Sequence, residues 1–292
     1  MLFRSDGRWG EWMPAAPNAP AVLDEPTRTV ELRIVLTAPP AGPGPEVRSV
    51  QVVADRIDTA PRVLTPRLSR RVFATREGLV GGTTANGHRI VPNDQFVALP
   101  TRRALSPRGR GDYSVRICTD ARRCATVPVW DVGPWNTTDD YWNPPNIRQS
   151  WKDLPIGLPQ AQAAFERRHN AGRDGFGRQV KNPAGIDLGD GTFYGLGLRN
   201  NAWVTVDYLW TARAGAVARA VAPAGPLPVR STPATTGQDL GVVGDGAQVT
   251  LDCQAPGAPI SGTQGDTNMW YRIAPGEFVP AAFVTGSAPV PP

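Results

Sequence analysis

The stretch Val127–Asn136, V-P-V-W-D-V-G-P-W-N, decides how the rest of the chain is interpreted. Its apolar start predicts a β-strand that reaches Asp131 shortly before a Gly-Pro turn. An aspartate beside such a turn can project its carboxylate into a groove, because the turn places no bulky side chain around it. Trp130 and Trp135 stand on either side and offer apolar faces on which sugar rings stack. The stretch therefore predicts a carbohydrate site, and it leaves both catalysis and simple binding open.

The composition favours a mainly β protein. The 292 residues include 31 glycines and 31 prolines without a collagen-like period, which fits many short strands joined by turns. Arginine supplies nearly all the positive charge, since the only lysines are Lys152 and Lys181, a bias typical of the GC-rich codons of actinobacteria. The net charge of +5 favours anionic partners, either nucleic acid or the anionic polymers of a Gram-positive wall. The arginines are scattered along the chain, so we expect no nucleic acid partner.

The cysteines predict an oxidising compartment. Cys118 and Cys124 flank T-D-A-R-R, the tip of a predicted hairpin, and facing positions on two strands meet disulfide geometry. A disulfide there implies a secreted, extracellular or wall-associated protein. Cys253 is interpreted as a small buried hydrophobe in a strand. No apolar run approaches about 20 residues, so no membrane insertion is expected. The first ten residues contain no signal-peptide core, so a secreted form would be a mature or trimmed one.

The strand patterns divide the chain into three units. Residues 1–65 predict a β-sandwich-like accessory domain, because apolar residues alternate in V-E-L-R-I-V-L and V-R-S-V-Q-V-V. Residues 70–212 predict a β-barrel with one inserted helix at 158–170. Residues 213–226 are interpreted as a linker, and residues 227–292 as a C-terminal small barrel. The strands expected in the first unit are 8–13, 29–37 and 47–54.

Four motifs in the second unit carry a resemblance to a known family. They are T-A-N-G-H-R-I at 84–90, V-A-L-P at 97–100, D-V-G-P-W at 131–135 and G-I-D-L at 185–188. Their order resembles the double-psi β-barrel of the rare lipoprotein A group, expansins, three-aspartate domains and membrane-bound lytic transglycosylase A. The resemblance implies a six-stranded barrel whose surface groove binds glycan strands. The start G-R-W-G-E-W also resembles accessory domains that precede actinobacterial cell-wall enzymes.

The C-terminal unit resembles a bacterial SH3 (SH3b) domain. Its short strands follow in the order V-R-S-T-P, N-M-W-Y-R-I and E-F-V-P. The resemblance implies a small barrel that binds the stem peptide or cross-bridge of peptidoglycan, with Trp270 at the ligand. The alternative is a barrel with a buried Trp270 and no ligand. The expected fold is thus mainly β: a sandwich-like domain, a double-psi barrel and an SH3b barrel.

The resemblance also implies the candidate catalytic residues. Asp131 holds the position of the aspartate that acts as general acid and base in the lytic members, a role that needs a shielded carboxyl group. His88 stands where the family usually has Glu, and the family's His before L-P is absent. His88 is either a relocated proton-transfer partner or a groove-lining residue in a barrel without catalysis.

The remaining candidates are substrate-binding positions. Asp187 either accepts backbone hydrogen bonds or lines the groove, and Asp190 with Gly191 is interpreted as a turn. The long segment 136–151 is either a rim of the sugar groove or a lid packed on the core. The predicted binding residues are Thr84, Asn86, Trp130, Trp135, Tyr141, Trp142, Asp187 and Trp270.

The sequence supports two hypotheses of function. In the first, the protein is a secreted peptidoglycan-binding enzyme that cleaves glycan strands as a lytic transglycosylase does, with Asp131 as the acid and base. In the second, it is a non-catalytic, expansin-like protein that binds or loosens the wall. With two histidines and no C-x-x-C spacing, we expect no metal and no cofactor. The expected partners are peptidoglycan glycan strands and stem peptide or cross-bridge, and the expected state is a monomer.

Overall fold

A computed structural model describes residues 2–5, 8–13, 15, 23, 27–34, 36, 44–52, 68–211 and 216–286. The chain divides into two compact units, Met1–Val63 and Leu64–Pro292. The second unit contains both the predicted barrel and the strands that follow it. Within the described ranges, no helix is long and apolar enough to cross a membrane.

The first unit contains a three-stranded antiparallel sheet in the order β2-β1-β3. Its strands are β1 Leu2–Ser5, β2 Arg8–Trp9 and β3 Thr29–Glu31. The strand predicted at 47–54 is wrong for residues 47–52, which have no regular structure, and residues 53 and 54 lie outside the described ranges. Val50 and Val52 are exposed there. These apolar side chains are not buried, so their alternation with polar residues gave a wrong prediction of a half-buried strand.

The second unit begins with a closed, six-stranded mixed β-barrel, in the order β7-β5-β8-β4-β9-β6, with β6 pairing back onto β7. The pairs β4/β8 and β5/β7 are parallel and the other four are antiparallel. Alternate residues such as Val72, Ala74, Val204 and Val206 are fully buried inside it. The strands are β4 Leu68–Arg76, β5 Val97–Leu99, β6 Ser114–Cys118, β7 Cys124–Val132, β8 Ala184–Leu188 and β9 Ala202–Tyr208.

The inserted helix is shorter than predicted. Helix α1 spans Gln160–Arg167 and ends at Arg168, which adopts the left-handed conformation and closes the last turn. A second helix, α2, spans Asp190–Gly195, so the turn predicted at Asp190 is wrong. This helix has only six residues, too few to show a helical period in the sequence. The side chain of Asp190 accepts two hydrogen bonds from Arg76, at 2.7 and 3.2 Å.

The C-terminal strands form two further sheet regions that continue from the barrel. One has the order β13-β10-β17, and the other, β14-β15-β16-β11-β12, joins β7 through a parallel pairing of β12. Strand β10 lies inside the predicted linker 213–226, so residues 216–220 belong to the fold. The strands are β10 Ala216–Ala220, β11 Leu227–Arg230, β12 Asp239–Val243, β13 Gln248–Leu251, β14 Cys253–Gly262, β15 Gly265–Ala274, β16 Glu277–Pro280 and β17 Val284–Gly286.

Close packing joins these strands to the barrel. A Cβ atom on Gly241 would lie 1.7 Å from the carbonyl oxygen of Cys124, so only glycine fits at this strand pairing. Arg116 on β6 forms ion pairs with Glu277 and with Asp207, the latter at 3.5 Å. Replacing Gly241 would therefore separate β12 from the barrel.

The predicted disulfide between Cys118 and Cys124 is confirmed. The two residues are directly paired on β6 and β7, with Cα atoms 4.2 Å apart. Cys253 is a free, buried cysteine in β14, as predicted. The bridge closes the tip of the hairpin at the end of the barrel to which β12 attaches.

Removing this bridge should cost stability. In the loop-entropy model a loop this short contributes about 2 kcal/mol, because the bridge restricts the unfolded chain. We expect Cys118→Ala/Cys124→Ala to lower the free energy of unfolding by about that amount, as measured by urea denaturation. Dithiothreitol should produce the same loss in the wild type and none in the double variant. A wild-type unfolding curve that dithiothreitol leaves unchanged would contradict this prediction.

Candidate functional site

The candidate site is a row of residues that crosses four neighbouring strands of the barrel. Asp131 on β7 is paired with Ala98 on β5, and Ala98 is paired in turn with Asp187 on β8. Asp187 is also paired with Thr75 on β4. Directly paired residues on adjacent strands point to the same face of a sheet. Because Ala98 projects only a methyl group, the two aspartates face each other across it, with Cα atoms about 10 Å apart from the strand spacing.

Backbone amides hold the carboxylate of Asp131. The N–H groups of Ala85 and Val132 donate to its Oδ1 atom over 2.8 and 2.7 Å. Such charge-assisted bonds support a negative charge on this side chain. Ala85 lies in the T-A-N-G-H-R-I motif, so the structure brings that motif against D-V-G-P-W. Asp131 itself is partly buried, which leaves the other side of its carboxylate accessible.

Glu77 joins this row and is the residue that sequence reasoning missed. It follows β4 directly, two residues after Thr75, so both side chains are on the same face. Its N–H group donates to the carbonyl of Leu188 over 2.9 Å, which extends the pairing with β8. The only signal in the sequence was an acidic residue at the end of a strand, in R-E-G, which is typical of a solvated turn.

The Glu77 carboxyl group holds a proton at neutral pH. Burial, together with the hydrogen bond to Asp131 and the charge of that residue, raises the pKa of Glu77 to about 9. The charges of Asp187 and Asp190 act in the same direction. The Oε2 atom of Glu77 is shielded from solvent and has no hydrogen-bond partner. A carboxyl group that is protonated at neutral pH has the proton that a general acid donates.

Asp187 completes the acidic cluster, which we define as Glu77, Asp131 and Asp187. Burial raises the pKa of Asp187 to about 6, a hydrogen bond from the Thr75 hydroxyl opposes this, and the charge of Asp131 adds to it. A Cβ atom on Gly133 would lie 3.5 Å from the Asp187 Oδ2 atom, so the glycine turn lies beside this carboxylate. In the structure Asp187 accepts a side-chain hydrogen bond from Thr75, and its role in binding stays a prediction.

His88 lies apart from the acidic cluster. Its Nε2 atom is 2.8 Å from the Asp94 carboxylate, and its ring lies 4.4 Å from the Trp130 ring between centroids. Trp130 stacks in turn on the buried ring of Phe96. The structure therefore pairs His88 with Asp94 rather than with Asp131.

Thr84 and Asn86 stabilise their own loop. The Thr84 hydroxyl donates to the Asn86 Oδ1 atom over 2.7 Å, and the Asn86 amide donates to the Ser106 carbonyl over 3.1 Å. Thr84 is buried. These bonds position the loop whose Ala85 N–H group reaches Asp131, so both residues act through the backbone.

Three aromatic residues predicted to bind substrate are in the core. Tyr141 and Trp142 are 0% exposed, and the Tyr141 hydroxyl donates to the Gly185 carbonyl over 3.0 Å. The segment 136–151 is thus packed on the core rather than forming a rim, which was the alternative considered. Trp270 is 1% exposed, and its indole N–H donates to the Ala258 carbonyl over 3.0 Å. These three rings have no surface on which a sugar could stack.

Two other aromatic groups are partly exposed at opposite ends of the row. Trp135 follows β7, and its indole N–H donates to the Asn182 Oδ1 atom over 2.9 Å. Phe73 on β4 and Trp203 on β9 are directly paired, with ring centroids 5.6 Å apart. Strands β7 and β9 lie on opposite sides of β5, β8 and β4 in the strand order. Aromatic faces therefore flank the acidic cluster on both sides, and Phe73 and Trp203 were not predicted.

The described ranges contain no group of three His, Cys, Asp or Glu side chains arranged to hold a metal ion.

The proton on Glu77 should make stability depend on pH. A carboxyl group whose pKa is higher in the folded state than in the unfolded state stabilises fully below its unfolded pKa, and this is lost as pH rises through the folded pKa. The contribution of Asp187 to stability is lost by about pH 6, so the change in stability between pH 6 and pH 9 reflects mainly Glu77. We expect stability to fall there by up to about 1.4 kcal/mol per pH unit, and Glu77→Gln to flatten the slope. Urea unfolding at each pH measures the stability, and equal slopes for the wild type and Glu77→Gln would contradict the raised pKa of Glu77.

One comparison with known proteins gave a match. A family described as a domain of unknown function (DUF8814) matches residues 68–207, which run from the start of β4 into β9. The chain is therefore similar to this family over the barrel, and the acidic cluster lies within the matched residues. No curated protein matches the chain.

Proposed function

We propose that the barrel binds peptidoglycan glycan strands and cleaves them at the acidic cluster. The observation that carries this proposal is the solvent-shielded carboxyl group of Glu77, whose pKa is raised by burial and by the neighbouring Asp131 carboxylate. Glycosidic bonds break when an acid protonates the leaving oxygen while a carboxylate stabilises the positive charge that develops on the sugar. Glu77 has the proton for the first task, and Asp131 has amide-supported negative charge for the second.

The proposed reaction is ring closure rather than hydrolysis. Inverting glycosidases separate their carboxyl groups by roughly 6.5–9.5 Å to admit a water, and retaining enzymes by roughly 5–5.5 Å. The charge of Asp131 acts directly on Glu77, and ring closure requires no separate water between the two carboxyl groups. In the proposed reaction, Glu77 gives its proton to the leaving oxygen as the C1–O bond breaks. The 6-hydroxyl oxygen of the same sugar bonds to C1, and its proton returns to Glu77.

Several features support the wider setting of this activity. The two parallel pairs, β4/β8 and β5/β7, support a barrel of the double-psi type. The Cys118–Cys124 disulfide supports secretion to the cell wall, and the arginine bias supports an actinobacterial source. The C-terminal strands are proposed to hold the enzyme on its polymer as an SH3b module would, on the order of their sequence motifs. Tethering a second weak contact raises the local substrate concentration.

Incubation of the purified protein with peptidoglycan sacculi tests the proposal. Mass spectrometry of the soluble products and pelleting of the protein with the sacculi would be measured in parallel. We expect muropeptides that end in 1,6-anhydro sugar rings. Muropeptides with reducing ends would show that the protein cleaves by hydrolysis rather than by ring closure. Pelleting without soluble products would contradict cleavage and support the expansin-like alternative.

A further inference from the structure

An exposed aromatic side chain stands at the tip of a small hairpin that is hydrogen-bonded to the segment after D-V-G-P. Residues Arg173 and Gln179 pair at the base of this hairpin, and Phe176 lies at its tip. Phe176 is 62% exposed, more than any other large hydrophobic side chain in the parts of the chain that the structure describes. Isolated exposed hydrophobic residues are common, so the surroundings decide whether this one has a role.

The hairpin holds Phe176 in a fixed position. The buried carboxylate of Asp174 accepts hydrogen bonds from the N–H groups of Phe176 and Arg178, at 2.9 and 2.8 Å. The N–H group of Gly175 donates to the Asn136 Oδ1 atom over 2.8 Å, and a Cβ atom on Gly175 would lie 2.9 Å from that oxygen. Asn136 directly follows Trp135, so these bonds join the hairpin to the end of the D-V-G-P-W motif.

Arg178 connects the exposed ring to Trp135. Its guanidinium carbon lies 5.1 Å from the Phe176 ring centroid and 5.8 Å from the Trp135 centroid. Its Nε atom donates to Asp174 over 2.6 Å, and its Nη2 atom donates to the Trp135 carbonyl over 2.6 Å. Nη1, the remaining nitrogen, has no protein acceptor among the described residues. The side chain is 58% exposed, so that nitrogen is available to a ligand.

This group is continuous with the acidic cluster. Trp135 follows Gly133 by two residues, and Gly133 lies beside Asp187. The Trp135 ring packs against Ala161, Ala164 and Val180, which back it from the side of α1. The hairpin and the acidic cluster are thus connected through the short segment from Gly133 to Trp135.

We infer that Trp135, Phe176 and Arg178 form a subsite for a sugar unit that carries a carboxylate. The inference rests on the proposed glycan-cleaving function. Aromatic faces take the sugar ring, and a guanidinium held by two other bonds presents its free N–H groups to the carboxylate. The carboxylate has two possible sources in peptidoglycan, the lactyl group of a peptide-free strand or the acidic stem peptide.

Binding measurements with three probes test this subsite. Calorimetry in the Glu77→Gln background, in which slow cleavage is expected, would use peptide-free glycan strands, strands with stem peptides and neutral chitin oligosaccharides, with product release checked in each sample. We expect Phe176→Ser to weaken the binding of all three probes about fivefold. The control is Phe165→Ser, which changes another surface phenylalanine, 50% exposed, on α1, and we expect it to weaken the binding of none. We expect Arg178→Gln to weaken the acidic probes about tenfold without changing chitin binding, and Arg178→Lys to have an intermediate effect.

The outcomes separate the two levels of the proposal. The acidic probe with the larger loss in Arg178→Gln identifies the source of the carboxylate. Equal losses for acidic and neutral probes in both Arg178 variants, or equal behaviour of Phe176→Ser and Phe165→Ser, would overturn the subsite while leaving cleavage by the wild type intact. Arg178-dependent binding by a protein that cleaves nothing would keep the subsite and remove the catalytic proposal. Absence of binding to every probe would overturn both.

Discussion

Glu77→Gln is expected to lower the rate of glycan-strand cleavage by about 100-fold or more, while binding to sacculi stays within about twofold. Proton transfer by a positioned acid contributes roughly 10²–10⁴-fold to a rate, and glutamine keeps the size of the side chain without its transferable proton. The measurement is the initial rate of soluble muropeptide release, with pelleting of each protein measured in parallel. Glu166→Gln is the matched control, because Glu166 is an exposed glutamate on α1.

The pH profile distinguishes the role of Glu77 from that of a merely structural residue. Because the pKa of Glu77 is raised to about 9, wild-type cleavage should persist through neutral pH and decline as pH approaches 9. Asp131→Asn should also lose cleavage, since it removes the negative charge beside the acid and the partner of the Glu77 hydrogen bond. If Asp131→Asn is inactive while Glu77→Gln keeps most of its rate, the acid and base is Asp131, as the sequence resemblance alone implied.

The sequence predicted the barrel more completely than the site. Residues 70–212 were predicted to form a β-barrel, and the structure has one there, with Val72, Val115 and Val204 buried in its strands. Asp131 was predictable from its local context, the strand end before a Gly-Pro turn. Glu77 was not, because its neighbours on the row come from β7 and β8, far away in the chain. Only the parallel pairing of β4 with β8 places Glu77 beside Asp131 and Asp187.

Burial of the aromatic residues was beyond sequence reasoning for a different reason. In the segment 136–151, Tyr141 and Trp142 follow two acidic residues, which is typical of an exposed loop. In the structure each of those acids forms an ion pair with an arginine: Asp139 with Arg148, and Asp140 with Arg103 from outside the segment. Once the charges are compensated, the whole segment can pack on the core and carry the aromatic rings with it. Such charge pairing leaves no periodic pattern, so the sequence favoured the rim and left the lid as the alternative.

The buried ion pair of that segment leads to the second large effect. Arg148 is 0% exposed, and its Nε atom donates to Asp139 Oδ1 over 2.9 Å. The other oxygen of Asp139 accepts a hydrogen bond from the Gln160 N–H group over 2.7 Å, at the start of α1. We expect Arg148→Met to lower the free energy of unfolding by about 3–5 kcal/mol at pH 8, because it leaves Asp139 as an uncompensated buried charge. Urea denaturation measures the loss.

The same variant should recover stability in acid. Burial already raises the pKa of Asp139 to about 6 although the charge of Arg148 opposes the shift, so removal of Arg148 raises that pKa further. In both proteins the raised pKa of Asp139 stabilises the folded state at low pH, and this contribution is lost as pH rises through that pKa. Because the pKa of Asp139 is higher in the variant, its stability continues to fall at higher pH. The stability difference between wild type and Arg148→Met should therefore be smaller at pH 5 than at pH 8. Arg167→Met, which changes an exposed arginine on α1, should change stability little at either pH.

The double variant Asp139→Asn/Arg148→Met separates charge from packing. Asparagine keeps an acceptor for the Gln160 N–H group and removes the buried charge, so part of the loss should be regained, and the difference from wild type should no longer widen between pH 5 and pH 8. A loss that stays the same in the double variant would mean that Arg148 acts through its packing and through its hydrogen bond to the Leu158 carbonyl rather than through its charge. Because Asp139 also bonds to the first residue of α1, and α1 backs the Trp135 ring, the recovered protein should regain binding to peptide-free glycan strands together with its stability.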